Sequence, residues 1–130
     1  MGKVAFVFSG QGAQYSGMGK SLYEHSAAAK NVFDTAESIR PGTKNQCFSG
    51  TLEEISITKN TQPCLFCVDL AAAEALREAG ITPDMTAGFS LGEVAAVTFA
   101  GIFTTEEGFS LVTKPVSYTH LRAHETRRHL

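Results

Sequence analysis

Two rhythms of apolar and polar positions run along this chain. Val4 to Phe8 is an unbroken apolar run of five residues ending at Ser9-Gly10, and it predicts a short buried strand. Leu22 to Ile39 carries helical spacing, which Pro41-Gly42-Thr43-Lys44-Asn45 breaks. Thr51 with Glu54 matches a capping box and predicts a short helix opening there. From Thr61 to Ala79, Cys64, Cys67, Val68, Ala71, Ala72, Ala75 and Leu76 form an i, i+3, i+4 stripe closed by Gly80. That spacing predicts a helix packed on one face. Asp84 to Phe89 predicts a second short strand, and Leu91 to Ala100 the helix that follows it. Thr104 with Glu107 is a second capping box, opening a helix towards Lys114. Strands alternating with helices in this way predict the α/β class.

Length and composition narrow the picture. With 130 residues, 43% hydrophobic and 18% charged, the chain has room for one soluble globular domain. A formal net charge of -2 without runs of like charge argues against nucleic acid or a membrane as partner. The first apolar run is too short for a signal-peptide core, and nothing later approaches transmembrane length. Cys47, Cys64 and Cys67 are too few and too unevenly spaced for a disulfide framework, so a cytoplasmic protein with reduced thiols is expected. The chain is not uniform, however. Residues 1–114 hold eight Lys and Arg against twelve Asp and Glu, whereas 115–130 hold three Arg, three His and one Glu. Pro115 also falls inside the helix that Thr104 opens, where a proline clashes and removes a backbone bond. Residues 1–114 therefore read as one unit, and 115–130 as a grafted tail, the mark of an assembly or cloning artefact.

The candidate chemistry centres on Gly88-Phe89-Ser90-Leu91-Gly92, the pattern G-x-S-x-G. Between a strand and a helix, this pattern lifts the serine out of the sheet and points a helix N-terminus at a developing oxyanion. Gly88 and Gly92 leave room for the tight turn. From the motif alone, a nucleophile and an ordinary serine in a glycine-containing turn stay equally open. A second glycine-rich loop, Ser9 to Ser21, invites nucleotide readings, but both fail at a required glycine. Tyr15 stands where the dinucleotide fingerprint needs one, and Gln14 where the P-loop needs one. Backbone N–H groups offered to an oxyanion suit Gly10-Gln11-Gly12 better. Cys64 and Cys67 lie on an apolar stripe and read as core rather than half a zinc site. His120 and His124 share an i, i+4 spacing without the Glu of H-E-x-x-H and read as tail residues, so no metal site is expected.

The loop "FVFSGQGAQYSGMG", then "NTQPCLFCVDLA", then "TAGFSLGE" occur in one order. Together they resemble the malonyl-CoA:acyl-carrier-protein transacylases of fatty-acid synthesis and the related acyltransferase domains of polyketide synthases. The resemblance runs from about residue 3 to Lys114. It implies a two-step transfer without cofactor, with malonyl-CoA and acyl carrier protein as partners. Ser90 is then the nucleophile forming an acyl-serine ester, and the backbone N–H groups of Gln11 and Leu91 form the oxyanion hole. It implies a partial α/β-hydrolase-like parallel sheet with helices, the inserted ferredoxin-like subdomain being missing, and a monomer when full length. Three departures qualify it. Phe89 stands where the family usually has histidine, which reads as altered packing. Pro115 stands where the arginine that pairs with the malonyl carboxylate is expected. The general-base histidine is expected roughly a hundred residues beyond the serine, so the 130 residues alone are expected to be inactive, with apolar surface left uncovered. Two alternatives remain: a serine esterase on the same elbow, weakened by the lack of an H-G-G-G motif, and a non-catalytic fragment binding coenzyme A or carrier protein.

Overall fold

The computed structural model describes residues 2–113. Lys114, Pro115, the tail of residues 115–130 and its His120 and His124 lie outside the described residues. Strand β1 (Ala5–Phe8) is followed by helices α1 (Lys20–His25), α2 (Ala27–Ile39), α3 (Thr43–Ser49), α4 (Leu52–Ile55) and α5 (Thr58–Glu78). Strand β2 (Met85–Gly88) and helices α6 (Leu91–Phe99) and α7 (Thr105–Val112) complete the order. The two strands pair in parallel, Ala5 opposite Met85 through Phe8 opposite Gly88. Parallel neighbours cannot be joined by a tight turn, so the intervening helices form the crossover between them. The predicted α/β class with a partial parallel sheet is what the structure contains.

Several elements differ from the pattern reading, each for a visible reason. The apolar spacing of 22–39 is continuous, yet Ser26 is extended (φ -131°, ψ 122°) and divides α1 from α2. Its hydroxyl accepts from the Ala29 N–H at 3.1 Å and donates to Glu78 Oε1 at 2.6 Å, so this serine restarts the helix as an N-cap. The predicted break after Ile39 is present, as a tight corner. Glu37 accepts from the Gly42 and Lys44 N–H groups at 2.8 and 2.9 Å, and α3 begins at once. At Thr51 only half the capping box forms: the hydroxyl accepts from the Glu54 N–H, but the Glu54 carboxylate is drawn to Gln46 Nε2 at 3.0 Å. At Thr104 both arms form, 2.9 and 3.1 Å long. Helix α5 starts at Thr58, three residues before the apolar stripe.

The core is aromatic along its length. Phe6 and Phe8 pack on Phe99 of α6 with ring centroids 5.5 and 6.0 Å apart, and Phe66 of α5 meets Phe109 of α7 at 6.0 Å. Cys47, Cys64 and Cys67 are fully buried, so the C-x-x-C pair is core packing. The buried-strand expectation for β1 is corrected, because among the described residues only one of its faces is covered. Phe6 and Phe8 point inward under α6, while Val7 is 65% exposed. On β2 the residues in register with that outer face, Met85 and Ala87, are exposed too.

Candidate active site

Ser90 stands between β2 and α6 with φ 54° and ψ -116°, the one non-glycine residue at positive φ among the described residues. A side chain held in that region costs on the order of 1–3 kcal/mol, so the surrounding structure must impose it. The Phe89 N–H donates to the Phe8 carbonyl at 3.1 Å, prolonging the parallel ladder up to the turn. Gly92 and Glu93 then donate to the Phe89 and Ser90 carbonyls at 2.8 and 2.9 Å, and α6 is under way. Both glycines of G-x-S-x-G are required by close approach. A Cβ on Gly88 would collide with the Gly92 backbone, and one on Gly92 with the Phe8 carbonyl. The serine itself is exposed at the end of the strand.

Parallel register brings the second loop to the same place, because both strands end on the same side. A Cβ on Gly10 would lie 2.5 Å from the Phe89 carbonyl oxygen and 3.4 Å from the Ser90 Cβ. Gly10 therefore backs directly on the elbow, with Gln11 and Gly12 following. Gly12 has φ 112°, open to glycine at little cost, and its N–H donates to Gln14 Oε1 at 2.8 Å. Gln14 Nε2 donates in turn to Ser56 Oγ at 3.2 Å, and Gln11 Nε2 to Thr58 Oγ1 at 3.4 Å, tying the loop to the start of α5. Leu91 is the first residue of α6, and its N–H belongs to the turn whose donors have no intrahelical acceptor. The helix dipole adds partial positive charge at that end. The structure thus gathers Ser90, Gly10-Gln11-Gly12, Gly88 and Leu91-Gly92 from stretches about eighty residues apart in sequence.

Other residues fall differently. Phe89, read as altered packing, is 69% exposed beside the strained turn. His25, the one histidine among the described residues, has its Nδ1 2.9 Å from the Ser21 carbonyl and sits with Ala75 and Glu78 near the end of α5. One group next to the site escaped the pattern reading. The Ser9 hydroxyl, one residue before Gly10, donates to Asp69 Oδ1 at 2.8 Å. Asp69 is the sole charged residue from Thr61 to Ala73. That interruption of an apolar stripe was the signal available for it. Burial pushes its carboxyl up to about 7, while the Ser9 hydroxyl and amide pull it down.

Comparison with known proteins gives this geometry a context. The acyl transferase domain family matches residues 5–121. The chain is 45% identical over 115 residues to the malonyl CoA-acyl carrier protein transacylase of Bacillus subtilis (strain 168), covering 88% of this chain and 36% of that protein. The crystal structure of the Synechocystis sp. PCC 6803 malonyl-CoA:ACP transacylase superposes with a TM-score of 0.83 at 37% identity, over 94% of this chain and 41% of that one. A malonyl-transacylase in complex with its type II polyketide-synthase acyl-carrier protein superposes with a TM-score of 0.79 at 31% identity, over 86% and 37% of the two chains. The chain thus spans little more than a third of the length of the transacylases it matches.

Proposed function

Since the chain belongs to the acyl transferase domain family, we propose that it carries the acyl-accepting half of a malonyl transferase, with Ser90 as the nucleophile. The observation that carries this reading is the Ser90 backbone, bent to φ 54° at a strand-to-helix elbow that touches Gly10 of the other glycine-rich loop. In the first step Ser90 Oγ attacks the thioester carbonyl of malonyl-CoA and loses its proton. The C–S bond then breaks, and coenzyme A leaves as the thiol. In the second step the phosphopantetheine thiol of acyl carrier protein attacks the malonyl-serine ester, and Ser90 recovers its proton as the C–O bond breaks. This is covalent catalysis that needs neither metal nor redox group. In this reading the N–H groups of Gln11 and Leu91 receive the oxyanion of both tetrahedral intermediates, where one such donor is typically worth about 10²–10³ in rate. Similarity to transacylases, one of them bound to a carrier protein, supports the two partners. Three free cysteines suit a reducing cytoplasm.

The test is intact-mass analysis of the 130-residue polypeptide after incubation with malonyl-CoA. One malonyl group is expected, mapping to Ser90 and absent from Ser90→Ala. Without the base and the carboxylate anchor that the resemblance places elsewhere, acylation is expected to lag by roughly 10²–10⁴, and onward loading of carrier protein to stay below detection. Equal labelling of wild type and Ser90→Ala would remove the reading.

A further inference from the structure

We propose that Asp69 is a positioning residue, which through Ser9 fixes the Gly10-Gln11-Gly12 loop beside Ser90; its catalytic consequence rests on the function proposed above. Asp69 lies in the middle of α5, and Ser9 directly follows β1. The Ser9 hydroxyl donates to Oδ1 at 2.8 Å, and the Ser9 backbone adds a weaker electrostatic pull on the same carboxyl. One side chain on α5 thereby holds the first residue of the loop through its hydroxyl. The next residue, Gly10, is the one pressed against Phe89 and Ser90. A carboxylate that holds Ser9 therefore holds the approach of the loop to the elbow.

The placement of this carboxylate is expensive for a purely structural group. It shares an apolar groove of about 230 Å³ with β1 and with Ala72, Ala73 and Leu76. Its second oxygen is buried and unpaired among the described residues. A half-satisfied buried carboxyl destabilises the fold, and an apolar side chain would pack on the stripe without that cost. Such groups concentrate where geometry must be held for function. The Ser9 carbonyl lies on the other side of the same junction, within 2.8 Å of where a Cβ on Gly92 would sit. Ser9 is thus trapped between α5 and the elbow helix, and the loop inherits its position from both.

The experiment compares wild type with Asp69→Asn, Asp69→Leu and Ser9→Ala in the 130-residue chain. Backbone ¹⁵N order parameters at residues 10–12 are the first readout. In wild type they should sit near the rigid value of about 0.85, and in Asp69→Leu fall below about 0.6. Ser9→Ala, which removes the hydroxyl donor and leaves the carboxyl in place, should fall between. Asp69→Asn keeps an acceptor for Ser9 and should stay near wild type. The second readout is the initial rate of Ser90 malonylation. It should drop roughly tenfold in Asp69→Leu with unchanged half-saturation in malonyl-CoA, and recover in Asp69→Asn to within about threefold. Unchanged order parameters in Asp69→Leu would overturn the proposal. If that variant fails to fold, unchanged order parameters in Ser9→Ala, at a half-buried position, would overturn it. If wild type takes no malonyl on Ser90, the function reading falls, and the order parameters still decide the role of Asp69.

Discussion

The serine and the carboxylate beside the elbow are both held in states their side chains would not choose. Ser90 bears a positive φ because Phe89 is pinned to Phe8 and Gly92 has no room for a Cβ. Asp69 bears a carboxyl raised from 3.8 to about 7 because burial outweighs the pull of the Ser9 hydroxyl and backbone. The sign of its pH dependence follows. A folded-state value above the unfolded one means the folded chain binds the proton more tightly. The resulting stability is full below about pH 4 and is lost as pH rises through 7. Urea denaturation of wild type should therefore show stability falling between pH 4.5 and 8 relative to Asp69→Asn. The upper bound on that difference is about 4 kcal/mol, at 1.36 kcal/mol per pH unit. Parallel curves for the two proteins would contradict the burial of this carboxyl.

At the scale of elements, the caps decide where the helices begin. Ser26 divides what reads as a single amphipathic stretch, because its hydroxyl serves both the Ala29 N–H and the carboxylate of Glu78, 52 residues away. Glu78 also accepts from the Ala28 N–H at 3.3 Å, so the junction of α1 and α2 is anchored to the end of α5. Ser26→Ala should cost about 1 kcal/mol. The loss should appear first as faster amide exchange in the opening turn of α2, while α6 stays protected. Uniform loss of protection across the molecule would show that the cap does not act locally. The two capping boxes teach the same lesson from the other side. Thr104–Glu107 is satisfied within its own helix and was legible as a motif. The Thr51–Glu54 motif is equally plain, yet Gln46 of α3 takes its glutamate.

At the scale of the molecule, the two-stranded sheet is covered by helices on one face only among the described residues. Val7 and Met85 stand exposed on the other, so the outer face is an apolar surface of the kind that drives association. Val7→Lys should lower self-association of the 130-residue chain in light scattering and shift its thermal midpoint little, since the side chain is already in water. A midpoint loss as large as that of a core truncation would mean Val7 is covered in solution. Among the described residues no helix is long and apolar enough to cross a membrane. By itself the sequence determined the α/β class, both strands, the helical stripe of α5, the burial of the cysteines and the position of Ser90. Each of these follows from local periodicity or from residues adjacent in the chain, which a one-dimensional reading contains. Only tertiary structure decided that Val7 faces outward, that Ser26 breaks a helix, and that Asp69 reaches Ser9. Those outcomes depend on which surfaces and side chains meet across more than fifty residues, and spacing along the chain carries no information about such meetings.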